Sequence, residues 1–210
     1  MKVYVLHCDR LTERRRLLEI QLAKHSLDRD VEWITDFPKE HPLVQEWKEK
    51  TGTRIPDGYI SLSLKHYEAY TRMVRDGIPE AILFEDDVII SDYFDIEKIP
   101  RECPFVKLGK GVPDMYIPLG NTPMVIGNNG GSEACYMRRE FAEDFLKNLN
   151  MMWTIDIEQH GYLIHKRIPL VCVPMCTQDF GATSVHESKD YGMTWIEYIQ
   201  KWDTFPKFKY

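Results

Sequence analysis

Short apolar runs alternate along the chain with longer segments in which apolar residues recur every three or four positions. Runs of the first kind are typical of buried strands, and segments of the second kind are typical of amphipathic helices. The order strand–helix–strand–helix–strand predicts an α/β fold whose mostly parallel central sheet is flanked by helices. The predicted strands lie at 3–7, 31–34, 81–84, 88–90, 105–108, 124–126, 133–137 and 169–174, and the predicted helices lie at 9–25, 41–52, 61–77, 141–149, 153–166 and 193–202.

The length and composition are those of one globular domain spanning residues 1–210, with 43% hydrophobic and 29% charged residues. The net charge of -6 argues against nucleic acid as a partner, since nucleic-acid binding calls for a basic surface. Residues 36–58 are rich in Pro, Gly and charge, and we expect them to form a variable excursion over the sheet edge. Residues 112–129 show little periodicity and predict a loop-rich region.

The amino terminus and the cysteines favour a cytoplasmic protein. The opening "MKVYVLHCDR" is typical of a strand and not of a signal peptide, and no run of about 20 apolar residues occurs. We therefore expect at most peripheral membrane contact. Of the five cysteines only Cys172 and Cys176 lie close together, so buried free thiols are expected rather than a zinc site.

The segment "AILFEDDVII" places Glu85, Asp86 and Asp87 between two apolar runs. Two like charges about 4 Å apart repel by ~4 kcal/mol at an effective dielectric of 20, so this arrangement needs compensation. A divalent cation is one solution, because carboxylate oxygens suit Mg²⁺ or Mn²⁺. Alternation along a strand predicts that Glu85 and Asp87 project to one side and Asp86 to the other. A solvated turn that ends a strand is the alternative.

Four segments, in order, resemble the family 25 glycosyltransferases, which include bacterial lipooligosaccharide galactosyltransferases and collagen-modifying sugar transferases. The second is the most distinctive, since a Ser-His-bearing helix leads into the Glu-Asp-Asp strand. Departures from the family pattern occur at Cys8, at Lys65 and at Ile155–Asp156, where the usual Leu, Ser and Pro are replaced. The four segments are "VYVLHCDRLTERR", "SLSLKHYEAYTRMVRDGIPEAILFEDDVII", "GGSEACYMRREFAEDFL" and "IDIEQHGYL" with "VPMCTQDFGATSVHES" after it.

The resemblance implies a GT-A-like nucleotide-binding fold and an enzyme, a hexosyltransferase of glycan or lipopolysaccharide biosynthesis. Since no membrane segment or signal peptide is recognised, we expect a bacterial or viral enzyme. It implies inverting, metal-dependent transfer of a hexose, with galactose favoured, from a UDP-sugar to a glycan hydroxyl. The cofactor would be Mn²⁺ or Mg²⁺, and the partners would be the donor and the glycan acceptor. Residues 36–58 and 112–129 would then lie on the acceptor side.

The resemblance also assigns the donor site. Asp87 is expected to hold the metal ion together with Glu85, and His186 is a further candidate that is otherwise a surface histidine. Asp86 and Glu85 would share contacts to metal, ribose or sugar. The remaining nucleotide-sugar contacts are expected from Asp9, Arg10, Arg14 and His66, for which the alternatives are solvated helix charges and an ordinary core histidine that packs against the acid strand.

Asp156 is the expected catalytic base, because the first turn of a helix favours an ionised carboxylate. A helix-capping role is the alternative for this residue, and Glu158 is the reserve base. Lys65 is expected on the helix surface. Further candidates on the acceptor side are Gln178, Asp179 and Ser184, and Gly130 and Gly131 are expected to form a turn or a close backbone approach to the sugar.

Two other classes of protein remain compatible with the acid cluster. A metal-dependent phosphohydrolase or nuclease would also bind Mg²⁺ through clustered acids. A noncatalytic protein that binds nucleotides or glycans would keep the fold without the chemistry.

Overall fold

The computed structural model describes residues 1–51, 54–109, 132–150 and 153–178. They form one seven-stranded sheet with the order β2-β1-β3-β6-β5-β7-β4 and five α-helices. The strand predicted at 124–126 and the helix predicted at 193–202 lie outside the described residues. The elements are β1 Lys2–Leu6, α1 Thr12–Lys24, β2 Val31–Ile34, α2 Pro42–Thr51, α3 Asp57–Arg75, β3 Glu80–Glu85, β4 Val88–Ile90, β5 Phe105–Gly109, β6 Ala134–Arg138, α4 Arg139–Asn148, α5 Ile155–His165 and β7 Val171–Gln178.

The predicted mostly parallel sheet is confirmed by the strand pairing. Strand β1 pairs in parallel with β2 and β3, and β5 pairs in parallel with β7. Strand β6 is antiparallel to both β3 and β5, which reverses the direction twice and leaves β5 and β7 aligned with β1. Strand β4 is antiparallel to β7. Five of the seven strands therefore point the same way, and β6 and β4 oppose them.

Apolar side chains from the two faces of the sheet form two cores, one under α1 and one under α2 to α5. On the first face Leu18 and Leu22 of α1 pack over the strands. On the second face Phe105 of the sheet stacks on Phe141 of α4 with ring centroids 4.7 Å apart. Burial of one large apolar side chain stabilises the fold by about 1.5–3 kcal/mol, so each helix is held mainly by its apolar stripe. The predicted flanking of the sheet by helices is confirmed.

The helix predicted at 41–52, within the segment 36–58, is confirmed as α2, Pro42–Thr51. This helix packs on α3, and its Val44 and Trp47 are buried in the second core. Trp47 lies 6.3 Å from Tyr67 of α3 between ring centroids. The segment is rich in charged residues, but its buried apolar side chains, Val44, Trp47 and Ile55, determine where it packs.

Helix α3 begins at Asp57, four residues before the predicted start, and ends at Arg75. Gly77 has φ of 68°, and its N–H and the N–H of Ile78 bond back to carbonyl groups of the last turn. This is the Schellman arrangement, in which a left-handed residue stops the helix and only glycine adopts that φ without strain. The prediction that Gly77 ends the helix is confirmed.

Candidate active site at the carboxyl edge of the sheet

The carboxyl ends of β1 and β3 lie side by side, since Leu6 pairs with Glu85. Because β6 runs the other way, the residues that precede it, Ser132 and Glu133, reach the same edge, and the Glu133 carbonyl accepts the Glu85 N–H at 2.9 Å. Ligands of open α/β sheets collect at this edge. The acid cluster is therefore surrounded by chain segments from three strands.

Asp86 is held by three donors from the first strand and first helix. Its Oδ2 lies 2.9 Å from Nδ1 of the buried His7 and accepts the Cys8 N–H at 3.1 Å. Its Oδ1 accepts from the Arg14 guanidinium at 2.8 Å. Hydrogen bonds to a carboxylate are among the strong ones, so Asp86 fixes the end of β1 against the end of β3. His7 was not among the residues singled out in the sequence.

Arg14 also lies 3.6 Å from Oδ2 of Asp87, so one guanidinium serves two acids. The acid cluster is thus compensated in part within the chain, which the apolar context of the segment did not predict. Asp86 and Asp87 share Arg14, whereas Glu85 contacts His66 and Ser132. Strand β3 ends at Glu85, so the two aspartates lie beyond the regular strand alternation on which their expected directions were based.

Glu85 lies in a separate, buried pocket of hydrogen bonds. Its Oε1 accepts from the Ser132 hydroxyl at 2.5 Å and lies 3.2 Å from Nε2 of His66. Burial raises the pKa of Glu85 to about 8, an effect that the Ser132 hydrogen bond opposes. The charges of Glu133 and Asp156 add to the increase. His66 packs against the acid strand, which is one of the roles expected for it.

His66 is fully buried, and burial lowers its pKa to about 3. Its second ring nitrogen, Nδ1, lies 3.4 Å from the Tyr70 hydroxyl. The imidazole is therefore neutral at neutral pH and spans two hydrogen-bonding partners. A neutral imidazole carries one N–H, so one nitrogen donates and the other accepts.

The expectation that Lys65 lies on the helix surface was wrong. Lys65 is only 5% exposed, and its Nζ donates to the Phe37 carbonyl at 3.1 Å and to the Ser61 hydroxyl at 3.2 Å. Phe37 has φ of 54°, an uncommon value for a bulky residue, and Ser61 also donates to its carbonyl. The loop after β2 covers this part of α3, and no periodicity in the sequence reveals that cover.

A second buried charged group lies beside the acid cluster. Lys107 of β5 and Glu133 are 2% and 3% exposed, and the charges of Asp156 and Glu133 counter the lowering of the Lys107 pKa by burial. The Glu133 side chain lies over Gly109, where a Cβ would stand 2.3 Å from Oε1. A glycine is therefore required at position 109, because any larger residue would clash with the Glu133 carboxylate.

Substitution Gly109→Ala is expected to lower the free energy of unfolding by about 1–3 kcal/mol, the usual cost of overpacking a filled site. The added methyl group forces the whole buried Glu133 side chain to move, since its Cγ, Cδ and Oε1 all stand within 3 Å of the new atom. Urea denaturation measures the change. Gly58→Ala is the matched control, because nothing lies within 4 Å of its Cβ position. Equal stabilities of the two variants would contradict this packing.

The first turn of α5 carries both candidate bases, and the structure places them differently. Asp156 is partly exposed, and its negative charge contributes to the raised pKa of Glu85 and of Tyr59, so it lies near Glu85. It also accepts a hydrogen bond from the Thr154 hydroxyl. Glu158 is fully buried, and its Oε1 accepts the Trp153 N–H at 3.0 Å. Asp156 is thus the better placed of the two to meet a substrate.

The other residues predicted for the site lie at the ends of β1 and β7 or outside the part of the chain that the structure describes. Asp9 and Arg10 are exposed at the end of β1, and Arg10 lies 3.7 Å from Glu40. The backbone of Gln178 pairs with Val88 at the end of β7. The predictions for Gly130, Gly131, Asp179, Ser184 and His186 concern residues outside the described part of the chain.

The donor set at this edge fits a hard divalent cation by its chemistry. Magnesium is usually held by one or two carboxylates together with substrate phosphates and water. Asp87 and Oε2 of Glu85 supply such oxygens, whereas both oxygens of Asp86 already accept from His7, Cys8 and Arg14, and Oε1 of Glu85 accepts from Ser132. Within residues 1–51, 54–109, 132–150 and 153–178, no three His, Cys, Asp or Glu side chains are preassembled around one point. Asp87 and Glu85 are therefore the residues that would hold the cation with a phosphate ligand.

The Glu85–His66 pair predicts a stability maximum between about pH 4.5 and 6.5 for the protein in a chelator. An unfolded Glu loses its proton near 4.5 but folded Glu85 near 8, so the free energy of unfolding falls as pH rises between these values. An unfolded His gains its proton near 6.5 but folded His66 near 3, so the free energy also falls as pH drops below 6.5. Each effect is on the order of a few kcal/mol.

Urea denaturation from pH 4 to about 8.5 measures this profile. Glu85→Gln is expected to flatten the alkaline limb, because the amide does not titrate, while the acidic limb stays. An alkaline limb of the same slope in wild type and Glu85→Gln would show that Glu85 is already ionised in the folded protein.

Taken together, these features define an α/β protein with a cluster of carboxylates at the carboxyl edge of its sheet. The family profile described as "Glycosyltransferase family 25 (LPS biosynthesis protein)" matches residues 1–111. This match covers more than half of the 210 residues and includes β1, α1, α3 and the acid strand β3. The chain belongs to glycosyltransferase family 25, and its class of activity is glycosyl transfer.

A solved structure resembles the chain over nearly its whole length. It is a crystal structure of a glycosyltransferase involved in the glycosylation of the major capsid of PBCV-1, and the alignment covers 97% of this chain and 100% of that chain, at 11% identity and a TM-score of 0.44. A comparison with curated proteins gives no match. Among the described helices, none combines the length and apolar character needed to cross a bilayer.

Proposed function

We propose that the protein is an inverting, metal-dependent hexosyltransferase that moves a sugar, with galactose favoured, from a UDP-sugar to a glycan hydroxyl. The observation that carries the proposal is the arrangement at the carboxyl end of β3. There Asp86 is locked by donors from β1 and α1, and Asp87 remains beside it at the sheet edge where nucleotides bind. Family membership supplies the reaction class.

In this proposal Asp87, with Glu85, holds Mn²⁺ or Mg²⁺, which when bound offsets the negative charge that develops on the departing diphosphate. Asp86 orients Arg14, whose guanidinium lies between the two aspartates and can move onto a phosphate oxygen. The exposed Asp9 and Arg10 at the end of β1 line the donor side.

Asp156 acts as the general base in this scheme. The acceptor hydroxyl attacks the anomeric carbon from the face opposite the diphosphate, and Asp156 takes up its proton. The transition state is oxocarbenium-like, as in glycoside hydrolysis, so carboxylates around the sugar favour it. The acceptor is held by residues of 36–58 and 112–129 in this proposal, and α2 is the part of the first segment that the structure describes.

A UDP-release assay tests the function. The protein is incubated with Mn²⁺ and each of several UDP-sugars, with and without glycan acceptors, and free UDP is measured. Mn²⁺-dependent release with one UDP-sugar is the expected result. Phosphate release from simple phosphoesters would instead favour a phosphohydrolase. Nucleotide binding without release for every donor and acceptor would favour a noncatalytic protein.

A further inference from the structure

Three polar side chains of α3 lie at positions i, i+3 and i+7, which places them on one face of the helix. They are Ser63, His66 and Tyr70, and each is at most 1% exposed. Ser63 and Tyr70 form hydrogen bonds with α5, and His66 forms one with Glu85 of β3. We call these three residues the polar row of α3.

The polar row links the chain segments that carry Glu85 and Asp156, the proposed metal ligand and the proposed general base. At one end Ser63 Oγ accepts the Ile155 N–H at 3.1 Å, which caps the first turn of α5 next to Asp156. The N-cap residue Thr154 makes no such side-chain bond, so this N–H is satisfied by another helix. In the middle His66 meets Glu85 at 3.2 Å.

At the other end of the row Tyr70 joins α5 again. The Gln159 amide of α5 donates to the Tyr70 oxygen at 2.6 Å, and the Tyr70 hydroxyl lies 3.4 Å from Nδ1 of His66. Since Tyr70 has one proton and already accepts from Gln159, that proton points to Nδ1 of His66. His66 then carries its own proton on Nε2 and donates to Glu85.

The hydrogen bonds thus run in one direction, from Gln159 through Tyr70 and His66 to Glu85. Ser132 donates to the same Oε1 from the other side. A chain of this kind fixes the imidazole tautomer and the direction of the carboxylate, as the partners of catalytic and metal-binding groups commonly do. Apolar residues of similar volume would fill this space without a desolvation cost, so stability alone does not call for the row.

We propose that Ser63, His66 and Tyr70 are positioning residues that hold Glu85 on β3 and Asp156 on α5 at a fixed separation. The inference rests on the proposed function for the roles of the two acids. In this proposal the row acts through Glu85 and through the first two turns of α5, and not by direct contact with donor or acceptor.

The substitution Tyr70→Phe tests the row, because it keeps the buried ring and removes the oxygen that links Gln159 to His66. We expect kcat with the UDP-sugar to fall about tenfold while KM for the donor stays within about twofold, as expected when groups are misplaced rather than lost. Tyr67→Phe is the matched control. Tyr67 is equally buried on the same helix, and its hydroxyl has no hydrogen-bond partner in the described residues. Should Tyr70→Phe not fold, Gln159→Met removes the donor at the other end of the chain.

The His66 tautomer gives a readout that is independent of activity. Long-range ¹H–¹⁵N NMR of the wild type is expected to show His66 protonated at Nε2, and Tyr70→Phe is expected to show a mixture of both tautomers. A wild-type His66 protonated at Nδ1 overturns the proposal, and so does equal kcat in Tyr70→Phe and Tyr67→Phe. A wild type that turns over no UDP-sugar overturns the proposed function instead, and the NMR signals then decide alone whether the row orders Glu85.

Discussion

Replacement of Asp156 by Asn is expected to lower kcat by about 100-fold or more while the affinity for UDP stays unchanged. The amide has the shape of the carboxylate and still accepts from the Thr154 hydroxyl, but it takes up no proton from the acceptor. In the proposed scheme Asp156 contacts the acceptor hydroxyl and not the nucleotide, so UDP affinity is expected to stay the same. Steady-state kinetics with donor and acceptor, together with calorimetric UDP binding, measure both quantities.

Glu158→Gln is the matched variant for this experiment. The glutamine keeps an oxygen for the Trp153 N–H, so the cap of α5 survives, and the charge of the reserve base is lost. We expect this variant to retain most of the wild-type kcat. The reverse pattern, with an active Asp156→Asn and an inactive Glu158→Gln, would transfer the role of base to Glu158.

The second large effect concerns the donor site. Asp87→Asn is expected to weaken Mn²⁺-dependent UDP binding by about 100-fold or more. Loss of a group that only supports a metal ligand costs about 10–100-fold, and a direct ligand contributes at least as much. Calorimetric titration of UDP into protein with Mn²⁺, and with a chelator in its place, separates the metal-dependent part of the affinity.

Asp92→Asn controls for the loss of one negative charge in the same part of the chain. Asp92 is exposed and pairs with Lys24 of α1 at 2.6 Å, so its charge is compensated at the surface by a lysine and not by Arg14. We expect its UDP affinity to match the wild type. If Asp87→Asn also binds UDP with wild-type affinity in Mn²⁺, Asp87 is not a metal ligand.

The elements of the fold follow well from local patterns, because each strand and helix carries its own periodicity. The apolar run of β3 and the amphipathic pattern of α4 are each contained in about ten residues. The position of the acid cluster follows as well, since a parallel strand presents its carboxyl end to the ligand edge. The glycine at position 77 likewise allows the end of α3 to be predicted from the sequence.

The partners of the acids could not be predicted, because they depend on strand order. Strand β6 inserts antiparallel between β3 and β5, and only that reversal brings Ser132 and Glu133 to the edge where Glu85 ends. His7 likewise meets Asp86 only through the pairing of β1 with β3. The partners of these contacts lie 47 and 79 residues apart in the chain, so no local sequence pattern indicates that they meet.

Lys65 and Trp47 show why charge content misleads about burial. Lys65 lies on a helix with many polar residues, and it is buried because the loop after β2 folds over it and its Nζ finds the Phe37 carbonyl. Trp47 lies in a segment rich in Pro, Gly and charge, and it is buried because α2 packs on α3. In both cases a tertiary contact outweighs the local composition.

The central claim is that Asp87 and Glu85 hold a cation which in turn holds the diphosphate of the donor. Crystals soaked with MnCl₂ and UDP, measured at the manganese absorption edge, test it most directly. The account predicts an anomalous peak within coordination distance of the Asp87 carboxylate and of a UDP phosphate oxygen. Bound UDP with no peak at the carboxyl end of β3, or a peak at another place in the molecule, would contradict it.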